Sequence, residues 1–191
     1  MTKFGFIRHG STAWNKERRA QGSSDIPLDQ DGINEARMLA DRLSGEEWDA
    51  IYASPLLRAR QTAEIIVGSL GIEEIHFDPR LREIGGGQIE GTIEEERIAK
   101  WGSGWRELDL GVEKHEEVLE RGLPAIKDIT EAHPGKNILI VSHGAFIRKI
   151  VSELVPAMKN EPPLNNTSVT LVGHTGEVWE CGLYNCTKHL G

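Results

Sequence analysis

The stretch "KFGFIRHGST", Lys3 to Thr12, is an apolar run that stops abruptly on an arginine, a histidine and a glycine. Lys3 to Arg8 reads as a buried strand. Its end joins a cation, a titratable imidazole and a residue that lets backbone come close, a combination suited to holding an anion against a nucleophile. A second such end lies far along the chain. There "NILIV", Asn137 to Val141, is a continuous apolar run typical of a strand buried on both faces, and it meets Ser142-His143-Gly144. If the two strands are neighbours, His9 and His143 emerge at one sheet edge, beside the backbone N–H groups of a helix N-terminus, which favour negative charge.

Between these ends, extended and helical patterns alternate. Asp29 to Leu43 reads as a helix that Asp29 caps, with Ile33, Ala36, Leu39, Ala40 and Leu43 on one face. Ala50 to Ala53 is a short strand. In "SPLLRARQTAEIIVGSL", Ser54 is a natural N-cap and Pro55 a natural first helical residue. Glu74 to Phe77 is a further candidate strand, and "TIEE" at Thr92 to Glu95 has the form of a capping box. Glu113 to Ala132 has a helical pattern that Gly122 and Pro124 should kink or weaken. Ala145 to Leu154 follows as a helix, and Ser168 to Val172 with Glu177 to Cys181 form a hairpin about His174-Thr175-Gly176. The alternation predicts an α/β fold, with a mostly parallel central sheet covered by helices on both faces and a C-terminal hairpin. Ligands of such folds bind at the carboxyl ends of strands.

Composition bounds the function. At 191 residues the chain is long enough for one well-buried domain, expected to span residues 1–191. A net charge of -8 argues against nucleic acid or an anionic membrane surface as partner, so any anion must be bound locally. The longest apolar region, Ile138 to Val151, is broken by His143, Arg148 and Lys149, and the N-terminus has no signal-type apolar core. A cytoplasmic enzyme is expected. Cys181 and Cys186 fit neither a zinc knuckle nor a disulfide scaffold, and a zinc site of His174, Cys181, Cys186 and His189 is disfavoured because a hairpin sends alternate side chains to opposite faces.

Four blocks in order, "RHGSTAWN" (Arg8–Asn15), "SPLLRARQTA" (Ser54–Ala63), "LREIGGGQIEG" (Leu81–Gly91) and "SHGAFIR" (Ser142–Arg148), resemble the motifs of the histidine phosphatase superfamily. The resemblance covers nearly the whole chain and implies the phosphoglycerate mutase-like fold. It makes His9 the phosphorylated nucleophile, with Arg8, Arg58 and His143 lining the phosphate pocket and Asn15 adding a donor. Glu83 matches the proton donor, although Glu90 and Glu94 stand near enough to compete. Gln21, Gly22 and Ser23 are read as a polar lip over the site, and Gly144 as substrate-binding backbone.

The chemistry is coherent with these residue types. A phosphomonoester brings nearly two negative charges, which paired guanidinium hydrogen bonds from Arg8 and Arg58 compensate. His9 must attack as neutral imidazole, and His143 serves best as a cation or donor on the oxygens that gain charge. No metal and no cofactor is implied. The expected function is a metal-independent phosphomonoesterase acting on a small phosphorylated metabolite. The alternatives are a phosphoglycerate mutase and a catalytically silent phospho-ligand binding module. A homodimer is compatible with the sequence.

Two departures from the family pattern bear on the substrate. Gly86 and Ile89 replace aromatic residues commonly found after the acid, and no long basic insertion follows Glu83. Instead Glu94 to Glu96, Glu107, Asp109 and Glu113 make an acidic lid, expected to disfavour a second phosphate or carboxylate on the substrate. Trp101 and Trp105 are either core or an apolar leaving-group pocket. Their spacing suits one helix face, against which Gly102 and Gly104 argue.

Overall fold

The computed structural model describes residues 1–191. Six strands, β1 (Thr2–Arg8), β2 (Ala50–Ala53), β3 (Ile75–Phe77), β4 (Asn137–Ser142), β5 (Val169–Thr175) and β6 (Val178–Cys186), form one sheet in the order β3-β2-β4-β1-β5-β6. The first four are mutually parallel where they pair, and β5 and β6 are added antiparallel. The helices are α1 (Ala13–Lys16), α2 (Gln30–Leu43), α3 (Leu57–Leu70), α4 (Glu94–Trp101), α5 (His115–Ala132) and α6 (Gly144–Leu154).

The two-residue periodicity of a strand sorts the core into two layers. Ile138 and Ile140 of β4 face Val118, Ile126, Phe146 and Ile150 from α5 and α6. Leu139 and Val141 face Leu39, Leu43, Ala63 and Ile66 from α2 and α3. Both faces of β4 are therefore dry, which is why its sequence runs apolar without alternation. No helix is long and apolar enough to cross a membrane.

Several local expectations shift. Leu56, not Ser54, is the N-cap of α3, and helical residues begin at Leu57. Ser54 Oγ instead faces the site. The capping contact of α4 lies one residue later than the "TIEE" reading, with the Glu96 carboxylate accepting from Ile93 N–H at 3.1 Å. Helix α5 runs unbroken through Gly122 and Pro124. Packing accounts for this glycine: a Cβ at Gly122 would stand 2.5 Å from Ile150 Cδ1 and 3.0 Å from Phe146 Cε2, so its absence lets α5 and α6 close on one another. The hairpin strands are longer than expected and turn at Gly176-Glu177. Gly102, at φ +82°, ends α4, so Trp101 and Trp105 do not share a helix. Trp105 is buried, its indole N–H donating to Glu94.

Candidate active site

Parallel pairing of β1 with β4 sets Arg8 opposite Ser142, so the next residue of each strand, His9 and His143, leaves the sheet at the same edge. Their ring centroids lie 5.3 Å apart, and both side chains are buried. His9 Nδ1 is 2.7 Å from the Gly10 carbonyl oxygen. A carbonyl only accepts, so Nδ1 carries the proton and the lone pair sits on Nε2. Burial first, then Arg58 and Arg8, hold His9 well below the usual histidine range, which keeps it neutral at pH 7.

His143 is arranged the opposite way round. Its Nε2 lies 2.8 Å from Ser54 Oγ. The Leu56 N–H points at the same oxygen from 3.3 Å, and the hydroxyl proton can be given to the imidazole. In that arrangement Nε2 accepts and Nδ1 bears the hydrogen, yet buried Nδ1 has no partner. Burial, then Arg58, His9 and Arg8, also hold His143 well below its ordinary value. His143 is therefore neutral in the free site, which leaves the donor of the two roles expected for it.

Arg58 is wholly buried, with Nη1 donating to the Ser24 carbonyl at 2.7 Å and Nη2 to the Gly22 carbonyl at 2.8 Å. Its Nε has no partner, and neither has Nε of Arg8, whose Nη1 donates to the Leu164 carbonyl. Burial pulls Arg58 down to about 10, still a cation at neutral pH. Thr62 ties this helix to the loop after β1, accepting from Gly10 N–H at 3.0 Å and donating to the Arg58 carbonyl at 2.7 Å.

The lip residues are spent on scaffolding. Gln21 Oε1 accepts from Thr12 Oγ1, while Gly22, at φ +48°, turns its carbonyl to Arg58. Asn15 Oδ1 accepts from Thr12 N–H and Asn166 Nδ2, so the amide hydrogens of Asn15 remain for other acceptors. Gly144 opens α6 beside Arg8. A Cβ there would stand 3.2 Å from Arg8 Nε.

The three carboxylates separate clearly. Glu83 sits at the start of α6, accepting from the N–H groups of Ile84 and Phe146 at 2.9 Å and of Ala145 at 3.3 Å, and it lines a cavity together with Arg8 and Gly144. Glu90 clasps two loops instead, accepting from Ser23 N–H, Ser24 Oγ and Gly86 N–H. Glu94 is bound to Arg106 and Trp105. Arg121, unremarked in the sequence, holds the Glu83 segment by donating to the carbonyls of Arg80, Arg82 and Glu83 while paired with Glu113 at 2.6 Å. Ser54 was detectable only as a cap, a role with the same sequence signature.

Half of the acidic lid is neutralised. Glu94, Glu96 and Glu113 pair with Arg106, Arg19 and Arg121, so the expected repulsion of a second anion does not arise from them. The disfavoured zinc group is scattered. His174 stacks on Trp179, His189 contacts Arg42 and Thr167, and the Cys181 thiol donates to the Leu183 carbonyl.

Residues 4–187 match the family model described as histidine phosphatase superfamily (branch 1). The chain belongs to that superfamily. Among curated histidine phosphatase relatives, it is 33% identical to the uncharacterized phosphatase PhoE of Bacillus subtilis, across 100% of this chain and 97% of that one. It is 36% identical to the probable phosphoglycerate mutase GpmB of Cronobacter sakazakii, across 91% and 85%. Its fold is similar to that of a phosphoserine phosphatase of Entamoeba histolytica solved with 3-phosphoglyceric acid, with a TM-score of 0.83, 32% identity and full coverage of both chains.

Proposed function

We propose that this histidine phosphatase hydrolyses a small phosphomonoester through a phosphohistidine on His9, without a metal. One observation carries the reading. Three buried donors without partners, Arg8 Nε, Arg58 Nε and His143 Nδ1, belong to the side chains around an imidazole whose own Nδ1 is already committed. Burying such donors unpaired is costly unless an acceptor-rich ligand satisfies them, and phosphate oxygens do so with charge assistance.

The steps follow from the atoms available. Nε2 of His9 attacks phosphorus, the bond from phosphorus to the ester oxygen breaks, and a proton from Glu83 neutralises the departing alkoxide. His143 Nδ1–H and both guanidinium groups stabilise the oxygens that carry charge in transit. Water then gives a proton to Glu83 and attacks the phosphohistidine, releasing phosphate and regenerating His9. Asn15 donates its free amide hydrogens to the same phosphate. A cytoplasmic setting belongs to this reading, in keeping with the free thiols of Cys181 and Cys186.

The test is a phosphomonoester panel assayed with and without exhaustive chelation, beside a mutase assay. Hydrolysis that survives chelation, with acid-labile phosphate trapped on His9, supports the proposal. A folded protein that is inactive until a divalent cation is restored overturns it. The relative called a probable phosphoglycerate mutase keeps phosphoryl return to a second hydroxyl as the other reading, which the mutase arm decides.

A further inference from the structure

We infer that the ester taken by this site carries a second anionic group, a carboxylate or a further phosphate, received by Arg148, Lys149 and Lys159 on the outer side of α6. The inference rests on the phosphomonoesterase reading and assigns it a substrate class.

Two adjoining cavities carry the argument. The first, lined by Arg8 and Glu83, opens where the leaving group must depart. The second is lined by Arg148, Lys149, Ser152, Met158 and Lys159, and the two share Ala145 and Arg148 as a common wall. A continuous wall thus runs from Arg8 and Glu83 along α6 onto three cations. Ala145, Arg148, Lys149 and Ser152 follow one helical face, and at about 1.5 Å rise per residue they span roughly 10 Å. That is the reach of a compact metabolite.

Charge distinguishes this wall from the rest of a molecule with net charge -8. None of the three cations takes part in an ion pair, whereas the arginines beside the acidic segment do. Lys149 Nζ contacts only the His115 ring at 3.2 Å. Glu113 and Glu116 act on Lys149 from beyond ion-pair distance, and Glu113 is already committed to Arg121. Unpaired cations lining a concave wall next to a phosphate site select anionic groups through orientation and long-range attraction.

The experiment compares kcat/KM for p-nitrophenyl phosphate, O-phosphoserine and a short alkyl bisphosphate, in the wild type, Arg148→Gln, Arg148→Lys and the Lys149→Gln/Lys159→Gln double variant. The wild type should prefer one of the doubly anionic esters. Which one identifies the group. Arg148→Gln and the double variant should each reduce the ratio of that ester to p-nitrophenyl phosphate by about 10- to 100-fold, mainly through KM, with Arg148→Lys intermediate. A wild type that turns over p-nitrophenyl phosphate but favours neither doubly anionic ester overturns the inference alone. Variants that lower all three substrates equally overturn it too. A wild type that hydrolyses no phosphomonoester defeats the phosphatase reading, and this inference with it.

Discussion

Ser54 Oγ stands 2.8 Å from Nε2 of His143 and also takes the Leu56 N–H, so a hydroxyl at the end of β2 is placed to hold the Nδ1–H form of a histidine after β4 by donating to its Nε2. Ser54→Ala removes that constraint. We expect kcat/KM to fall about 10-fold, the value of one ordinary hydrogen bond expressed in rate. Imidazole nitrogen NMR should show His143 passing from the Nδ1–H form to a tautomer mixture. An unchanged tautomer in the variant would detach Ser54 from this role.

His9→Ala should abolish both turnover and phosphoenzyme, whereas His143→Ala should leave a folded enzyme slowed by roughly 10² to 10³, the typical loss for one transition-state donor. A denaturing quench at alkaline pH, where phosphohistidine survives, after a radiolabelled substrate pulse separates the two. Label on any other histidine would reassign the nucleophile.

Glu83 and Glu90 make opposite forecasts. Glu83→Gln should slow release of an alkyl leaving group far more than release of p-nitrophenolate, by up to roughly 10² to 10⁴, because the aryl oxygen departs as a stabilised anion. Glu90→Gln weakens the clasp among Ser23, Ser24 and Gly86 and should slow both alike. Single-turnover release isolates the first step. Leaving-group dependence in Glu90→Gln rather than Glu83→Gln would exchange their roles.

Stability should fall with acid. Burial, and after it Arg58, hold His9 and His143 well below 6.5 in the folded chain, while unfolded histidines titrate near that value. Below pH 6.5 the unfolded state therefore binds more protons. The stability contributed by keeping these rings neutral is present in full above 6.5 and is lost as pH falls through it toward the lowered folded values. Each ring adds a slope of up to about 1.4 kcal/mol per pH unit. Urea unfolding between pH 7.5 and 5 should show this slope, reduced in His143→Gln. A midpoint independent of pH over that range would contradict it.

The meeting of His9 and His143 was legible because each lies one residue beyond an apolar strand, and parallel pairing in register does the rest. The order of helices and strands was legible for the same reason: each element carries its own period. Tertiary effects were not. Gly122 and Pro124 count against a helix locally, yet packing on Ile150 and Phe146 carries α5 through them. The acidic segment read as exposed charge because its partners, Arg19 and Arg121 among them, come from other parts of the chain. Gly86 and Ile89 stand where the family pattern has aromatic residues, and what the sequence did not show is that Gly87 between them, at φ +53°, lies against the returning backbone of Leu110 and Gly111.

Gly10 and Gly32 bring the loop after β1 and the first turn of α2 into direct backbone contact. A Cβ on Gly32 would lie 2.1 Å from the Ser11 carbonyl oxygen, and one on Gly10 would lie 2.6 Å from the Gly32 carbonyl oxygen. The two backbones occupy a single van der Waals layer, so the loop after β1 and the first turn of α2 behave as one solid piece. Neither can be retuned by side-chain replacement without prising the other away. Under the proposed function, adaptation to a new ester must therefore be written on the rim, in the 84–113 segment and along the outer turns of α6, while the loop that carries His9 stays fixed beneath it.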